Sequence, residues 1–80
     1  MSELETLTKR CLDTKEARQC RVALSFSEVL QNQAASRGNY ACQSRLLGLE
    51  SDLIRISFHE DRNELILQIL EEVKKFCDGI

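Results

Sequence analysis

The chain has 80 residues, of which 42% are hydrophobic and 30% charged, and its formal net charge at pH 7 is −2. A chain this short can build one hydrophobic core, so we expect a single domain over residues 1–80. This composition excludes the disordered and fibrous classes. No apolar run approaches the ~20 residues of a membrane span, and the first residues are acidic, unlike those of a signal peptide. The chain also lacks the excess of basic residues that nucleic-acid and membrane surfaces usually require. We therefore expect a soluble, cytoplasmic protein, with nucleic acid an unlikely partner and no membrane partner.

The first predicted helix begins at a capping-box pattern formed by Ser2 with Glu5. A second capping box, Asp13 with Glu16, predicts a break near Asp13. The apolar residues between these signals recur at helical spacing and are Leu4, Leu7, Cys11 and Leu12.

A long helix is predicted at about residues 14–37, ending at the left-handed stop that Arg37-Gly38-Asn39 provides. We expect the apolar face of this helix to contact the core. That face contains Val22, Ala23, Phe26, Val29, Leu30 and Ala34. Leu24 lies off this face.

The segment from Tyr40 to His59 is apolar almost all the way round when drawn as a helix, which predicts a central position in the bundle. It also contains a row of small residues at spacings of three and four. A neighbouring helix could approach closely there, although a plain polar surface would look the same. The row consists of Ala41, Ser44, Gly48 and Ser51.

The last helix is predicted at about residues 62–77, opened by a capping pattern of Asp61 with Glu64 and closed by Asp78-Gly79. Its apolar face contains Leu65, Ile66, Ile69, Leu70, Val73, Phe76 and Cys77. Leu67 lies off that face.

These elements predict an all-α fold, a small bundle of three or four helices made of a helical hairpin plus a C-terminal helix. The alternative is an α+β domain with strands near residues 20–26 and 53–59, where apolar residues alternate with smaller or polar ones. Helix caps and stops frame both segments and no hairpin signal separates them, which favours the all-α fold.

The cysteines are Cys11, Cys20, Cys42 and Cys77. They lack the paired spacing of a zinc site, and nothing in the sequence indicates secretion. We therefore expect reduced thiols, with Cys11 the most exposed, and neither a metal nor another cofactor.

His59-Glu60-Asp61, with Ser57 nearby, places an acid-base side chain next to carboxylates and a hydroxyl. Neighbouring residues point in different directions, so a helix boundary explains this group better than a catalytic site. No glycine-rich phosphate loop is present in the sequence. We expect a protein that is not an enzyme.

A degenerate helix-turn-helix around residues 33–47 is the basis of an alternative function, a small DNA-binding transcriptional regulator. Ala34 and Gly38 have the spacing of its turn, and Gln43-Ser44-Arg45 would begin the recognition helix. Polar residues at positions that this motif buries, together with the acidic net charge, count against it.

Two resemblances to known families complete the sequence-based interpretation. The acidic start, the long helix ending in Arg37-Gly38, and Leu49 through Ile56 resemble the small helical-hairpin co-chaperones of type III secretion needle subunits, over about the first 57 residues. This implies an antiparallel hairpin that keeps a partner unpolymerised, although a helix at 61–77 departs from the family. The segment 53–58 and the acidic helix after it are similar to the closing strand and helix of class V aminotransferases. A chain of 80 residues has no room for the pyridoxal-binding lysine region of that family, so this resemblance does not imply aminotransferase activity.

The sequence thus favours a non-catalytic protein-binding module: a small helical chaperone, adaptor or inhibitor that presents an apolar helix face to another protein or to a second copy of itself. Leu24 and Leu67 lie off the apolar faces of their helices and are expected at the surface. They are the predicted partner-binding residues.

Overall fold

The fold was analysed in a computed structural model that describes residues 2–56 and 63–79. Within these ranges the chain forms helices joined by turns, which confirms the all-α prediction. The helices are α1 (Ser2–Thr14), α2 (Ala17–Ser36), α3 (Tyr40–Ile56) and α4 (Asn63–Phe76). The strand alternative near 20–26 is wrong because that segment lies inside α2. Of the segment 53–59, residues 53–56 belong to α3, and the others lie outside the described residues.

The junction between α1 and α2 lies slightly later than predicted. Asp13 is part of α1, whose last turn is supported by a hydrogen bond from the Thr14 hydroxyl to the Arg10 carbonyl oxygen (2.9 Å). Lys15 then takes a left-handed conformation (φ 55°), and Glu16 is the N-cap of α2 without a side-chain capping bond. The Asp13–Glu16 capping box is therefore wrong. The Thr14 hydroxyl oxygen instead accepts the Glu16 N–H at 3.2 Å.

The turn between α2 and α3 confirms the predicted stop. Gly38 has a φ of 71°, and its N–H donates to the Ala35 carbonyl, while the Asn39 N–H donates to the Ala34 carbonyl at 2.8 Å. Asn39 then caps α3, because its Oδ1 accepts the Cys42 N–H at 3.2 Å. One asparagine thus ends a helix and begins the next.

The main packing interfaces join consecutive helices. The Ser27 hydroxyl donates to the Leu46 carbonyl of α3 at 3.3 Å, and both residues lie well away from the turn, so α2 and α3 form an antiparallel hairpin. A Cβ on Gly48 would lie 2.5 Å from the Ile69 Cδ1, so the Ile69 side chain of α4 packs directly on α3 at this glycine. Gly48 alone among the predicted row of small residues has this role, because Ala41, Ser44 and Ser51 are exposed.

Each helix contributes to one buried core. For the last helix the predicted face is confirmed at Ile66, Leu70, Val73 and Cys77, which are buried, and wrong at Leu65, which is 50% exposed. Helix α3 packs on both α2 and α4, but its predicted central position is only partly confirmed, because Leu47 and Ile54 are exposed and α2 also packs on two helices. The buried apolar side chains of α1 to α3 are Leu4, Cys11, Leu12, Cys20, Ala23, Ala34, Cys42, Leu46, Leu49 and Leu53.

The cysteines correct the prediction of reduced thiols. Cys11 is joined to Cys20 and Cys42 to Cys77 by disulfide bonds, and all four are buried. The expectation that Cys11 is the most exposed thiol is wrong for the same reason. Cys11 and Cys20 lie on either side of the α1–α2 junction, whereas Cys42 and Cys77 are 35 residues apart and are brought together by the packing of α3 with the end of the last helix.

Polar contacts reinforce the ends of the bundle. Near the second disulfide, the Asn39 Nδ2 donates to the Phe76 carbonyl at 3.0 Å and the Arg37 guanidinium donates to the Gly79 carbonyl at 2.8 Å. Between α1 and α4, the Lys74 ammonium lies 2.9 Å from the Glu5 carboxylate. Over the residues that the structure describes, none of the helices is long and apolar enough to cross a membrane.

Candidate protein-binding site

Helix α2 buries only part of the apolar face that its sequence predicts, since Ala23 and Ala34 of that face are buried. Val22 and Val29 were expected in the core, but they are 44% and 52% exposed. Phe26 and Leu30 are only half-buried. The buried residues of α2 are Cys20, Ala23, Ser27, Gln31 and Ala34.

Three contacts spaced along α2 fix this rotation. Cys20 is drawn inward by its disulfide to α1, and the Ser27 hydroxyl is satisfied by the Leu46 carbonyl. Gln31 donates from Nε2 to the Glu50 carboxylate of α3. Polar side chains tolerate burial when they are hydrogen-bonded, so serine and glutamine can occupy core positions here. The helix is therefore turned so that part of its apolar face points to solvent.

The exposed face of α2 and the neighbouring edge of α1 form a broad, open groove of about 500 Å³. Leu7 of α1 and Phe26 of α2 are half-buried and pack against the core at its base. The lining residues are Leu7, Arg18, Arg21, Val22, Ser25, Phe26 and Val29. We call this surface the α1–α2 groove.

The α1–α2 groove has a basic rim. Arg18 and Arg21 are exposed, and neither forms an ion pair with another residue that the structure describes. The segment 9–21 contains five basic and two acidic residues, in a chain whose net charge is −2. The first turn of α2 contains Arg18 and no acidic residue, although the positive end of the helix dipole favours acidic side chains there. Helix stability does not explain a cation at this position.

The two predicted partner-binding residues have different environments. Leu67 is 42% exposed on α4, as predicted. Leu24 is half-buried and packs against the core, so its predicted place at the surface is wrong in part. The cause is the rotation of α2, which turns Val22 outward and Leu24 inward. The two leucines lie on helices that are not consecutive, and neither lines the α1–α2 groove.

The remaining candidate groups are the acid-base cluster and a possible metal site. Ser57, His59, Glu60 and Asp61 lie outside the described residues. No group of three or more histidine, cysteine, aspartate or glutamate side chains in the described part of the chain could hold a metal ion.

The segment 33–47 forms the end of α2, the tight turn and the first half of α3. Arg45, expected at the start of a recognition helix, stacks on the Phe76 ring at 4.3 Å and faces the Glu72 carboxylate at 3.9 Å. The chain's own contacts thus engage this cation. The DNA-binding alternative stays a prediction, with no contact in its favour among the described residues.

No protein-family model, curated protein or solved structure matches this chain. The resemblances to needle-subunit co-chaperones and to aminotransferases therefore stay predictions. The groove itself was missed by the sequence analysis. One sequence feature could have indicated it. Cys20, Ser27 and Ala34 recur every seven residues in α2 and form a second face of small residues that could pack against the core.

Proposed function

We propose that this protein is a non-catalytic protein-binding module, a small helical adaptor, chaperone or inhibitor that holds a partner in the α1–α2 groove. One observation carries the proposal. Val22 and Val29 are exposed beside half-buried Phe26, while Ser27 and Gln31 of the same helix are buried. The apolar face of α2 is thus offered to solvent.

Single exposed apolar residues are common and carry no function by themselves. A concave set of apolar side chains rimmed by polar ones is different, because such surfaces are typical of interaction sites. Recognition of an amphipathic helix in an apolar groove is a recurrent mode of protein binding. The shape and lining of the α1–α2 groove fit that mode.

The resemblance to needle-subunit co-chaperones supports the chaperone form of this proposal. Two antiparallel helices with a short lead are the layout that the resemblance implies, and α2 and α3 form an antiparallel hairpin after α1. In that form the groove would cover an apolar segment of a partner that otherwise polymerises. Leu67, exposed on α4, remains a proposed second contact for a partner or for another copy of the chain.

The disulfides bear on where this binding takes place. The prediction of reduced cysteines followed from the absence of any sign of secretion, whereas disulfides persist mainly in oxidising compartments. The Cys11–Cys20 bond joins the two helices that form the groove. We therefore propose an oxidising environment for the working protein.

The test compares three baits: the wild-type chain, the variant Val22→Asp/Val29→Asp, and the variant Leu47→Asp. Leu47 is 50% exposed on α3 and provides a matched control outside the groove. Each bait is incubated with extract of the source cells, cross-linked and analysed by quantitative mass spectrometry, and its oligomeric state is measured by sedimentation.

We expect the wild type and Leu47→Asp to capture the same partner, or to self-associate equally. The double variant should lose that association because buried aspartates would be unpaired in the interface. Equal capture and equal self-association by all three folded baits would contradict the proposed function.

A further inference from the structure

We propose that the partner segment in the α1–α2 groove is an amphipathic α-helix with acidic residues at one end, which pair with Arg18 and Arg21. This inference rests on the proposed function and specifies its partner by chemistry.

The dimensions of the groove suit a short helix. Its lining on α2 extends from Arg18 to Val29, which corresponds to about 17 Å, or three turns, at the helical rise per residue. A bound helix of the same length would place apolar side chains at spacings of three and four over Val22, Phe26 and Val29. The polar residues of the bound helix that flank these apolar side chains would then lie against the rim of the groove.

The charges on the rim select the polar residues of that helix. Arg18 and Arg21 lie one turn apart at the end of the groove near the Cys11–Cys20 disulfide, without ion pairs to other described residues. An arginine guanidinium binds a carboxylate through two parallel hydrogen bonds, and its hydration is weaker than that of lysine. Glutamate or aspartate one turn apart on the partner would satisfy both arginines, and basic residues there would be repelled.

A helix suits this surface better than an anionic membrane or a nucleic acid does. Peripheral membrane helices carry a strong basic excess, whereas this chain is net acidic and the groove has two arginines at one end. Nucleic acid requires an extended basic surface, whereas apolar residues form most of this lining.

The experiment measures binding of three labelled helical peptides, about four turns long, by fluorescence anisotropy. The first carries leucines at spacings of three and four with two glutamates at one end, the second has glutamine in place of glutamate, and the third has lysine. Each is titrated with the wild-type chain and with Arg18→Glu/Arg21→Glu. The variant Arg55→Glu/Lys75→Glu is the control, since it changes net charge equally at exposed sites outside the groove. Vesicles of anionic phospholipid provide a separate arm.

We expect the wild type and the control variant to bind the glutamate peptide at least about tenfold more tightly than the glutamine peptide, with the difference shrinking as salt is added. Arg18→Glu/Arg21→Glu should lose that preference and bind the lysine peptide best. Circular dichroism and thermal melts verify that each variant is folded.

Equal affinity for the glutamate and glutamine peptides, no binding of any peptide, or binding to vesicles in preference to peptides would overturn the acidic-helix inference. None of these results would contradict the proposed function. That function is tested separately by the bait experiment, because partner capture depends on Val22 and Val29 whatever the charge of the partner.

Discussion

Helices α2 and α4 are both amphipathic, yet they use their apolar faces in opposite ways. In α4 the apolar face is the core face, with Ile66, Leu70 and Val73 buried. In α2 the apolar face is partly exposed, and Ser27 and Gln31 are buried in its place. The spacing of apolar residues identifies the apolar face correctly in both helices. It does not determine whether that side is covered by the same chain or by another molecule.

The difference follows from where each helix finds its polar partners. Gln31 and Ser27 of α2 meet a carboxylate and a carbonyl of α3, so their burial costs little. The central part of α4 places aliphatic side chains against α3 and the core, with Lys74 and Glu72 at the edges. When a neighbouring helix provides hydrogen-bond partners for the polar face of a helix, that polar face can be buried. The apolar face of the same helix then remains exposed and available to a partner.

The sharpest test of this comparison substitutes aspartate on each apolar face. Leu70→Asp should destabilise the protein by more than about 4 kcal/mol, because it leaves an unpaired charge in the core. Val29→Asp should cost less than about 1 kcal/mol, because the position is open to water. Chemical denaturation monitored by circular dichroism gives both values. If Val29→Asp unfolded the protein, the apolar face of α2 would be core and the groove would not exist.

The two disulfides should differ in effect according to the length of chain that each closes. Cys42 and Cys77 are 35 residues apart and Cys11 and Cys20 are 9 apart. Because a longer loop loses more entropy when it is closed, replacing Cys42 and Cys77 by alanine should lower the free energy of unfolding by about 4 kcal/mol. Replacing Cys11 and Cys20 should lower it by about 3 kcal/mol. Denaturation midpoints of the two double variants give the order. The opposite order would mean that the α1–α2 junction depends more on its covalent bond than the α3–α4 pair does.

Leu24 and Leu67 extend the comparison to residues beside each apolar face. Leu24→Asp should destabilise the protein by about 1–2 kcal/mol, because the side chain contacts the core, whereas Leu67→Asp should change stability by less than about 0.5 kcal/mol. Thermal melts distinguish the two. Equal effects would indicate that the inward turn of Leu24 is not maintained in solution.

The smallest expected effect concerns the ion pair between α4 and α1. The Lys74 ammonium, by its hydrogen bond and its charge, lowers the pKa of Glu5 below the ordinary 4.5. A carboxyl with a lowered folded-state pKa stabilises the fold above its ordinary pKa, and this contribution is lost as pH falls through the folded value. The difference in melting temperature between wild type and Glu5→Gln should therefore shrink as pH falls below 4.5. Both side chains contact water, so added salt should shrink it too. A difference independent of pH would show that the pair does not stabilise the fold.

Much of the fold could be predicted from local signals. Gly38 and Gly79 ended helices where expected, since both have positive φ and few other residues adopt that conformation readily. The rotation of α2 could not be predicted, because it depends on Glu50 and the Leu46 carbonyl, far away in the sequence. The Cys42–Cys77 disulfide was missed for the same reason, since its cysteines are 35 residues apart. The candidate groove combines Leu7 with residues of α2, and only the packing of α1 brings them together.

The disulfides also divide the chain into two covalent rings, one closed by Cys11 and Cys20 and the other by Cys42 and Cys77. A protease that cuts one peptide bond inside either ring leaves the fragments joined through sulfur, so the nicked chain migrates as one species until a reductant is added. After a single cut between Cys20 and Cys42 no disulfide joins the two fragments, so under denaturing conditions they migrate separately even without a reductant. Residues 21–41, which are most of α2 and the turn after it, are thus the stretch between the rings whose backbone must stay intact for the two halves to remain covalently joined.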